Sequence, residues 1–101
     1  MFYNLKKGHI TSIYNTRIKV YKSDDIILLH KVQNVGGTCD EKLPYIVHSL
    51  LQSTHRKILV LEGDGWREGA LDWVENMLMF EPIKLFYSVE EANNYLQRKE
   101  K

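Results

Sequence analysis

Two short, uninterrupted apolar runs constrain the fold of this chain more than any other feature. Ile26 to Leu29 and Ile58 to Leu61 have the length of a buried β-strand and are far too short to span a membrane. Each run leads into a glycine-containing loop, and apolar residues at helical spacing follow each loop. Buried strands that alternate with helices are typical of an α/β fold, with a mixed sheet covered by helices.

Turn and capping residues predict the remaining elements. Ser88 and Glu91 have capping-box spacing, as do Thr38 and Glu41, so each pair predicts the start of a helix. Strands are predicted over residues 10–14, 17–22, 26–33, 57–62 and 83–87, and helices from about 38, over 67–79 and from 88. The predicted order is β-β-β-α-β-α-β-α, a central mixed sheet flanked by helices in one domain over residues 1–101.

Both tryptophans are predicted to be buried. In the predicted helix over 67–79, apolar residues recur at three- and four-residue steps and form one stripe: Ala70, Trp73, Val74, Met77 and Leu78. Trp73 is therefore expected in the core. Trp66 is expected to pack against a tight turn at Gly63-Asp64-Gly65, where the glycines permit backbone angles that other residues resist.

Basic residues are concentrated in the first third of the chain. Residues 1–31 contain six Lys and Arg against two Asp, a net charge of +4, whereas residues 32–101 contain eight against eleven acids, a net charge of −3. A basic segment favours nucleic acid through phosphate contacts and counterion release. DNA is therefore the predicted partner, and the candidate contacts are Lys6, Lys7, Arg17, Lys19 and Lys22. The alternative is that these charges only solvate an exposed strand face.

The single cysteine and the small size of the chain indicate where the protein is located and whether it associates. Cys39 has no second cysteine for an internal disulfide, and the sequence contains neither a signal-peptide pattern nor a membrane-length apolar stretch. A cytoplasmic protein without a membrane partner is expected. A domain of this size buries only about 60–65% of its unfolded surface, so its stability margin is thin. Association as a homo-oligomer or with a larger partner protein is therefore predicted.

Two stretches of the chain each combine a strand with a distinctive loop or turn. The first runs from His30 to Tyr45, HKVQNVGGTCDEKLPY, in which a lysine strand leads into a Q…GT..EK.PY loop. The second runs from Ile58 to Ala70, ILVLEGDGWREGA, in which a buried strand is followed by a G.GWR.GA turn. Over roughly residues 15–87 the chain resembles the PD-(D/E)XK nuclease superfamily, which includes the type II restriction endonucleases. The resemblance implies a restriction-endonuclease-like fold and magnesium-dependent cleavage of a phosphodiester bond.

The resemblance also implies which residues would carry this chemistry. Lys31 matches the family lysine that helps to orient the attacking water, and Gln33 matches the polar residue that often follows it. In the family an aspartate and a glutamate hold the metal, and the glutamate precedes the lysine by two residues. Here that position is Leu29, and the preceding strand, residues 17–22, contains no acid. An uncharged leucine cannot hold a divalent cation.

Several other side chains are alternatives for the missing acids. Glu41, near the start of the first helix, is a candidate for both a catalytic and a metal-binding role. Glu62 is a candidate metal ligand because it ends the strand beside Lys31, and adjacent strands lie about 4.8 Å apart. The aspartate pair at residues 24–25 lies about 20 Å from Lys31 along an extended strand, so another copy or a bulge would have to supply it. His30 is either a substitute base or a hydrogen-bonded structural histidine.

Three functions remain open at this stage. The first is magnesium-dependent phosphodiester hydrolysis with acids that have migrated to new positions. The second is a catalytically degenerate subunit that binds DNA or a partner protein on the same scaffold, since the loss of carboxylates removes repulsion toward phosphate. The third is an interaction protein with no role in nucleic-acid binding. The sequence leaves open whether the chain is an enzyme.

Overall fold

The computed structural model describes residues 2–13, 16–34, 42–79 and 81–100, which form five strands and three helices. The strands are β1 (Lys6–Ile13), β2 (Thr16–Lys22), β3 (Ile26–Val32), β4 (Arg56–Glu62) and β5 (Ile83–Phe86), and the helices are α1 (Leu43–Leu51), α2 (Glu68–Leu78) and α3 (Val89–Glu100). The predicted order β-β-β-α-β-α-β-α is confirmed. Among the described helices, none is long and apolar enough to cross a membrane.

The sheet is mixed, and β3 lies at its centre. Its strand order is β1-β2-β3-β4-β5. The first two pairings are antiparallel, whereas β3–β4 and β4–β5 are parallel and are connected through α1 and α2. Parallel neighbours need such a crossover connection, which is usually helical. As a consequence, the carboxyl ends of β3, β4 and β5 meet at one edge of the sheet, where Lys31 and Glu62 lie.

Helices cover both faces of the sheet, and alternate residues of each strand point to opposite faces. The face covered by α1 and α2, here the α1 face, has a buried core of Ile18, Val20, Leu29, Leu43, Ile46, Val47, Leu50, Leu59, Leu61, Trp66, Val74, Leu78 and Ile83. The opposite face, here the α3 face, has a buried core of Phe2, Tyr21, Ile26, Leu28, Ile58, Val60, Ala92 and Leu96. Burial on both sides explains the uninterrupted apolar runs of β3 and β4.

The two tryptophans differ in burial, and one prediction is wrong. Trp66 is 8% exposed and its Nε1 donates to the carbonyl oxygen of Glu62 at 2.9 Å, which confirms its predicted packing against the turn. Trp73 is 40% exposed, as is Met77. The inner stripe of α2 passes through its buried residue Val74, and neighbouring helical residues point about 100° apart. Trp73 and Met77 therefore lie on the flank of the helix and not in the core.

Element boundaries agree with the sequence at the end of the chain and differ at its start. The Ser88 hydroxyl accepts the backbone N–H of Glu91 at 3.1 Å, which confirms the capping box that opens α3. The other predicted capping box, Thr38 with Glu41, lies outside the described residues. The first strand begins at Lys6 and not at Ile10, because the backbone pairing continues past the apolar residues to the register pair of Lys6 with Lys22.

Candidate functional site

Lys31 lies on the central strand, near the carboxyl end of β3. Its register neighbour on β4 is Leu61, so the lysine sits beside the second buried strand, as the resemblance requires. The side chain is half-buried on the α1 face, and its Nζ donates to the backbone carbonyl oxygen of Arg17 at 3.0 Å. This neutral acceptor leaves the positive charge of Lys31 uncancelled.

Leu29 occupies the position of the missing glutamate, two residues before Lys31 and on the same face. It is 4% exposed and belongs to the α1-face core. Its hydrocarbon side chain packs where a metal-binding carboxylate would have to stand. Across the described residues, no three His, Cys, Asp or Glu side chains come close enough together to hold a metal ion. Glu41, the proposed catalytic and metal-binding glutamate, lies outside the described residues.

Glu62 does not approach Lys31, because the two side chains lie on opposite faces of the sheet. In the parallel register Glu62 pairs with Val32, whereas Lys31 pairs with Leu61. Directly paired residues share a face and side chains alternate along a strand, so Glu62 points to the α3 face. The expected lateral approach of Glu62 to Lys31 is therefore wrong.

The carboxylate of Glu62 is bonded instead to His30. His30 Nε2 and Glu62 Oε1 are 2.7 Å apart, and because an ionised carboxylate only accepts, Nε2 is the donor. His30 is 4% exposed and its ring packs edge-to-face on Phe2, with centroids 5.4 Å apart. Its Nδ1 is buried and has no partner among the described residues. The interpretation of His30 as a hydrogen-bonded structural histidine agrees with this geometry.

The His30–Glu62 contact joins residues that are 32 positions apart. Nothing local in the sequence indicates it, because the two residues lie in different strands and in different stretches of the family resemblance. The signal that could have found it is the register between β3 and β4. A register that places His30 beside Val60 brings Glu62, two residues further along the same face, within reach of the imidazole.

Gln33 ties the ends of β3 and β4 together. Its Nε2 donates to the carbonyl oxygen of Gly65 at 2.9 Å, and its backbone N–H donates to that of Glu62 at 2.8 Å. The N–H of Gly65 in turn donates to the carbonyl oxygen of Gln33 at 2.7 Å. Gly63 lies between these contacts with a φ of 97°, a backbone conformation that favours glycine. The side-chain amide nitrogen of Gln33 is thus engaged by the β4–α2 turn.

The predicted DNA contacts do not form one patch. Lys6 and Lys22 are register partners, and Lys22 is also the register partner of Ile27. Because Ile27 packs against the α1-face core, both lysines lie on the α1 face. Arg17 and Lys19 point to the α3 face, where Lys19 is the register partner of His30. Alternation along β2 separates the two pairs. The side chain of Lys7, the fifth predicted contact, lies outside the described residues.

Arg17 and Lys19 border a groove at the same edge of the sheet. The groove has a volume of about 270 Å³ and is lined by Ile10, Arg17, Ile18, Lys19, His30, Lys31 and Val32. Three of these residues are cations, and His30, which also lines the groove, is bonded to the carboxylate of Glu62. A cluster of this kind attracts anions, and phosphate groups above all.

The five-stranded mixed sheet, with a lysine at the carboxyl end of its central strand, defines a nuclease-type α/β fold. The family model described as the PD-(D/E)XK nuclease superfamily domain matches residues 5–95. The chain belongs to the PD-(D/E)XK nuclease superfamily, as the two sequence stretches indicated. No curated protein and no solved structure shows significant similarity to the chain.

Nucleases of this superfamily generally use divalent metals, and the described residues do not fit such an ion beside Lys31. Hard cations need oxygen ligands, and Leu29 offers none. The nearest described carboxylate on the neighbouring strand, that of Glu62, lies on the other face with His30. No metal-dependent step is therefore derived from these side chains.

Proposed function

We propose that this chain binds DNA on a nuclease scaffold and has lost metal-dependent cleavage at the Lys31 position. The observation that carries the proposal is Leu29, which fills the place of the metal-binding acid with a buried hydrocarbon side chain. Membership of the nuclease superfamily supports a nucleic-acid partner. Magnesium then has no role in binding, and the groove bordered by Arg17, Lys19 and Lys31 acts as the positively charged surface.

The charge distribution supports binding to the phosphate backbone. Arg17 and Lys19 border the groove on the α3 face, and Lys31 adds a third cation at the same edge. Each neutralised phosphate contributes a slope of about −0.9 in a plot of log K against log salt concentration, so three contacts give a slope of about −3. Such an interface reads no bases by itself, because phosphate contacts position a protein without specifying sequence.

The test is the affinity of the purified protein for a fluorescent DNA duplex, measured by anisotropy in magnesium and again in EDTA. We expect the same affinity in both buffers, and a salt slope that falls by about two units in the double variant Arg17→Gln/Lys19→Gln. Arg98→Gln, which removes an exposed cation from α3, is the matched control and should leave the slope unchanged.

The same preparation should be incubated with supercoiled plasmid in magnesium or manganese. No nicking by the wild-type chain is expected. Nicking that is lost in Lys31→Ala would overturn the proposal in favour of hydrolysis with migrated acids, and Glu41 would be the first ligand to replace. Nicking that appears only above a threshold concentration would indicate that a second copy supplies the acids. Light scattering on the same sample tests the predicted homo-oligomer.

A further inference from the structure

A cleft opens at the amino ends of the parallel strands, at the opposite edge of the sheet from Lys31. It has a volume of about 330 Å³. Its lining comes from the first residues of β3, β4 and β5, from the α2–β5 connection and from α3. Pockets that bind small ligands have volumes of about 300–1,000 Å³, so the cleft has the size for a small organic molecule.

The floor and one wall of the cleft are apolar. Ile26, Ile58 and Ile83 are all buried and present their edges to the cavity. Tyr95 forms part of the α3 wall, and its ring lies 5.3 Å from that of Phe86. An apolar group placed against this floor would be partly removed from water.

Met79 stands at the mouth of the cleft and is 68% exposed. Methionine is a flexible, polarizable side chain that adapts to ligands of irregular shape. A bound apolar group would remove part of this side chain from water. The exposed thioether of Met79 and the apolar floor therefore form one contact surface for a ligand.

The rim of the cleft is basic. Arg56 is the register partner of Ile26 and Lys84 that of Ile58, so both cations lie on the α3 face on which Tyr95 packs. Both side chains are exposed, and neither forms a hydrogen bond or ion pair within the described part of the chain. The acidic residue on the rim is Glu81. Two cations without partners above an apolar floor can hold one anionic group.

We propose that this cleft binds a small organic anion, with a flat apolar body on the floor and a carboxylate or phosphate monoester between Arg56 and Lys84. Neither half of the ligand is sufficient alone. An inorganic anion makes no contact with the apolar lining, and a neutral aromatic compound leaves both cations without a partner. The site is separate from the proposed DNA surface, and it stands whether or not the chain binds DNA.

The test is a titration of the full ¹⁵N-labelled chain, followed by amide chemical shifts. The probes are phenyl phosphate and benzoate, with inorganic phosphate and benzyl alcohol as the two half-ligands. We expect saturable shifts at Ile58, Lys84 and Tyr95 with phenyl phosphate or benzoate, at concentrations at least about tenfold below those needed for either half-ligand. The better of the two aromatic anions identifies the preferred head group.

Three variants separate the parts of the site. Arg56→Gln and Lys84→Gln should each weaken the aromatic anion about fivefold or more, because each removes a charge-assisted contact. Met79→Ala should weaken the aromatic anion and leave inorganic phosphate unchanged. Arg98→Gln, an exposed cation of α3 outside the cleft, should alter neither. All four replaced side chains are exposed, so folding is checked by the dispersion of the same spectra.

Two results would overturn the proposal. One is shifts from the aromatic anions that map to the groove at Arg17 and Lys19 and leave the cleft residues unmoved. The other is an affinity for inorganic phosphate equal to that for phenyl phosphate. Neither result bears on DNA binding, which is measured on other residues, so the two proposals fail independently.

Discussion

Lys31 and His30 are adjacent residues of β3 that point to opposite faces of the sheet, and their side chains have different kinds of partner. On the α1 face, Lys31 donates to a neutral backbone carbonyl, and Leu29 beside it is buried hydrocarbon. On the α3 face, His30 is bonded to the carboxylate of Glu62. Within the described residues, Lys31 therefore has a hydrocarbon neighbour where the nuclease acid would lie, and the acid of the neighbouring strand is hydrogen-bonded on the other face. A surface arranged in this way favours phosphate binding over metal binding.

The largest expected effect comes from Leu29→Glu, which restores an acid two residues before Lys31. A carboxylate in the α1-face core should lower the free energy of unfolding by about 3–5 kcal/mol, because a leucine contact is lost and a charge is buried. Urea denaturation measures the effect. Leu29→Met, the control with similar volume, should cost less than about 1.5 kcal/mol.

The urea denaturation of Leu29→Glu should be repeated in the presence of magnesium. If millimolar magnesium recovered more than about 1 kcal/mol of stability in Leu29→Glu and none in the wild-type chain, the Lys31 face would retain a place for a metal, since only a bound ligand stabilises in this way. That outcome would contradict the contrast between the two faces. We expect the two denaturation curves of the variant, with and without magnesium, to coincide.

The turn that joins the ends of β3 and β4 should be the next most sensitive region. A Cβ at Gly63 would collide with the carbonyl oxygen of Gln33 and lie 2.7 Å from Oδ1 of Asn34, at a φ that disfavours side chains. Gly63→Ala should therefore lower the free energy of unfolding by about 2–3 kcal/mol. Gly69→Ala is the matched control, because a Cβ there meets nothing within 4 Å and α2 gains a better helix former. Equal effects would mean that the turn is not constrained as described.

Removing the acid of the α3 face should have a moderate effect. Glu62→Ala leaves buried His30 without the partner of its Nε2, and we expect a loss of about 2 kcal/mol in the free energy of unfolding. Asp64→Ala, at an exposed position in the same turn, should change stability by less than about 0.5 kcal/mol. A loss no larger than this in Glu62→Ala would show that the His30 contact contributes little, and the contrast between the faces would weaken.

The smallest expected effect concerns the hydrogen bond between Tyr87 and Glu75. The hydroxyl of Tyr87 donates to the carboxylate of Glu75, and burial together with this hydrogen bond raises the pKa of Tyr87 above its usual value near 10. A pKa that is higher in the folded than in the unfolded state adds stability below pH 10 that is lost as the pH rises further. Above pH 10 the free energy of unfolding should therefore fall less steeply in Tyr87→Phe than in the wild-type chain. Parallel pH profiles would contradict this.

Much of the architecture could be predicted because it depends on local pattern. The apolar runs of β3 and β4, the Ser88 cap of α3 and the turn under Trp66 each depend on a few consecutive residues. The prediction for Trp73 is wrong because the spacing of apolar residues along a helix shows how wide the apolar stripe is, but not which residue faces the sheet. Packing of Val74 toward the sheet set the rotation of α2, and Trp73 was left on the flank.

The amino-acid sequence alone shows that position 29, on the face of Lys31, carries no acid. Leu29 and Lys31 are two residues apart in a strand, so they must share a face wherever the strand lies. The direction of the Glu62 side chain and its partner follow from the tertiary fold. Its partner depends on the register between β3 and β4, and a shift of one residue would have moved Glu62 to the face of Lys31. That register is set by the packing of two strands that are distant in the sequence, which no local pattern encodes.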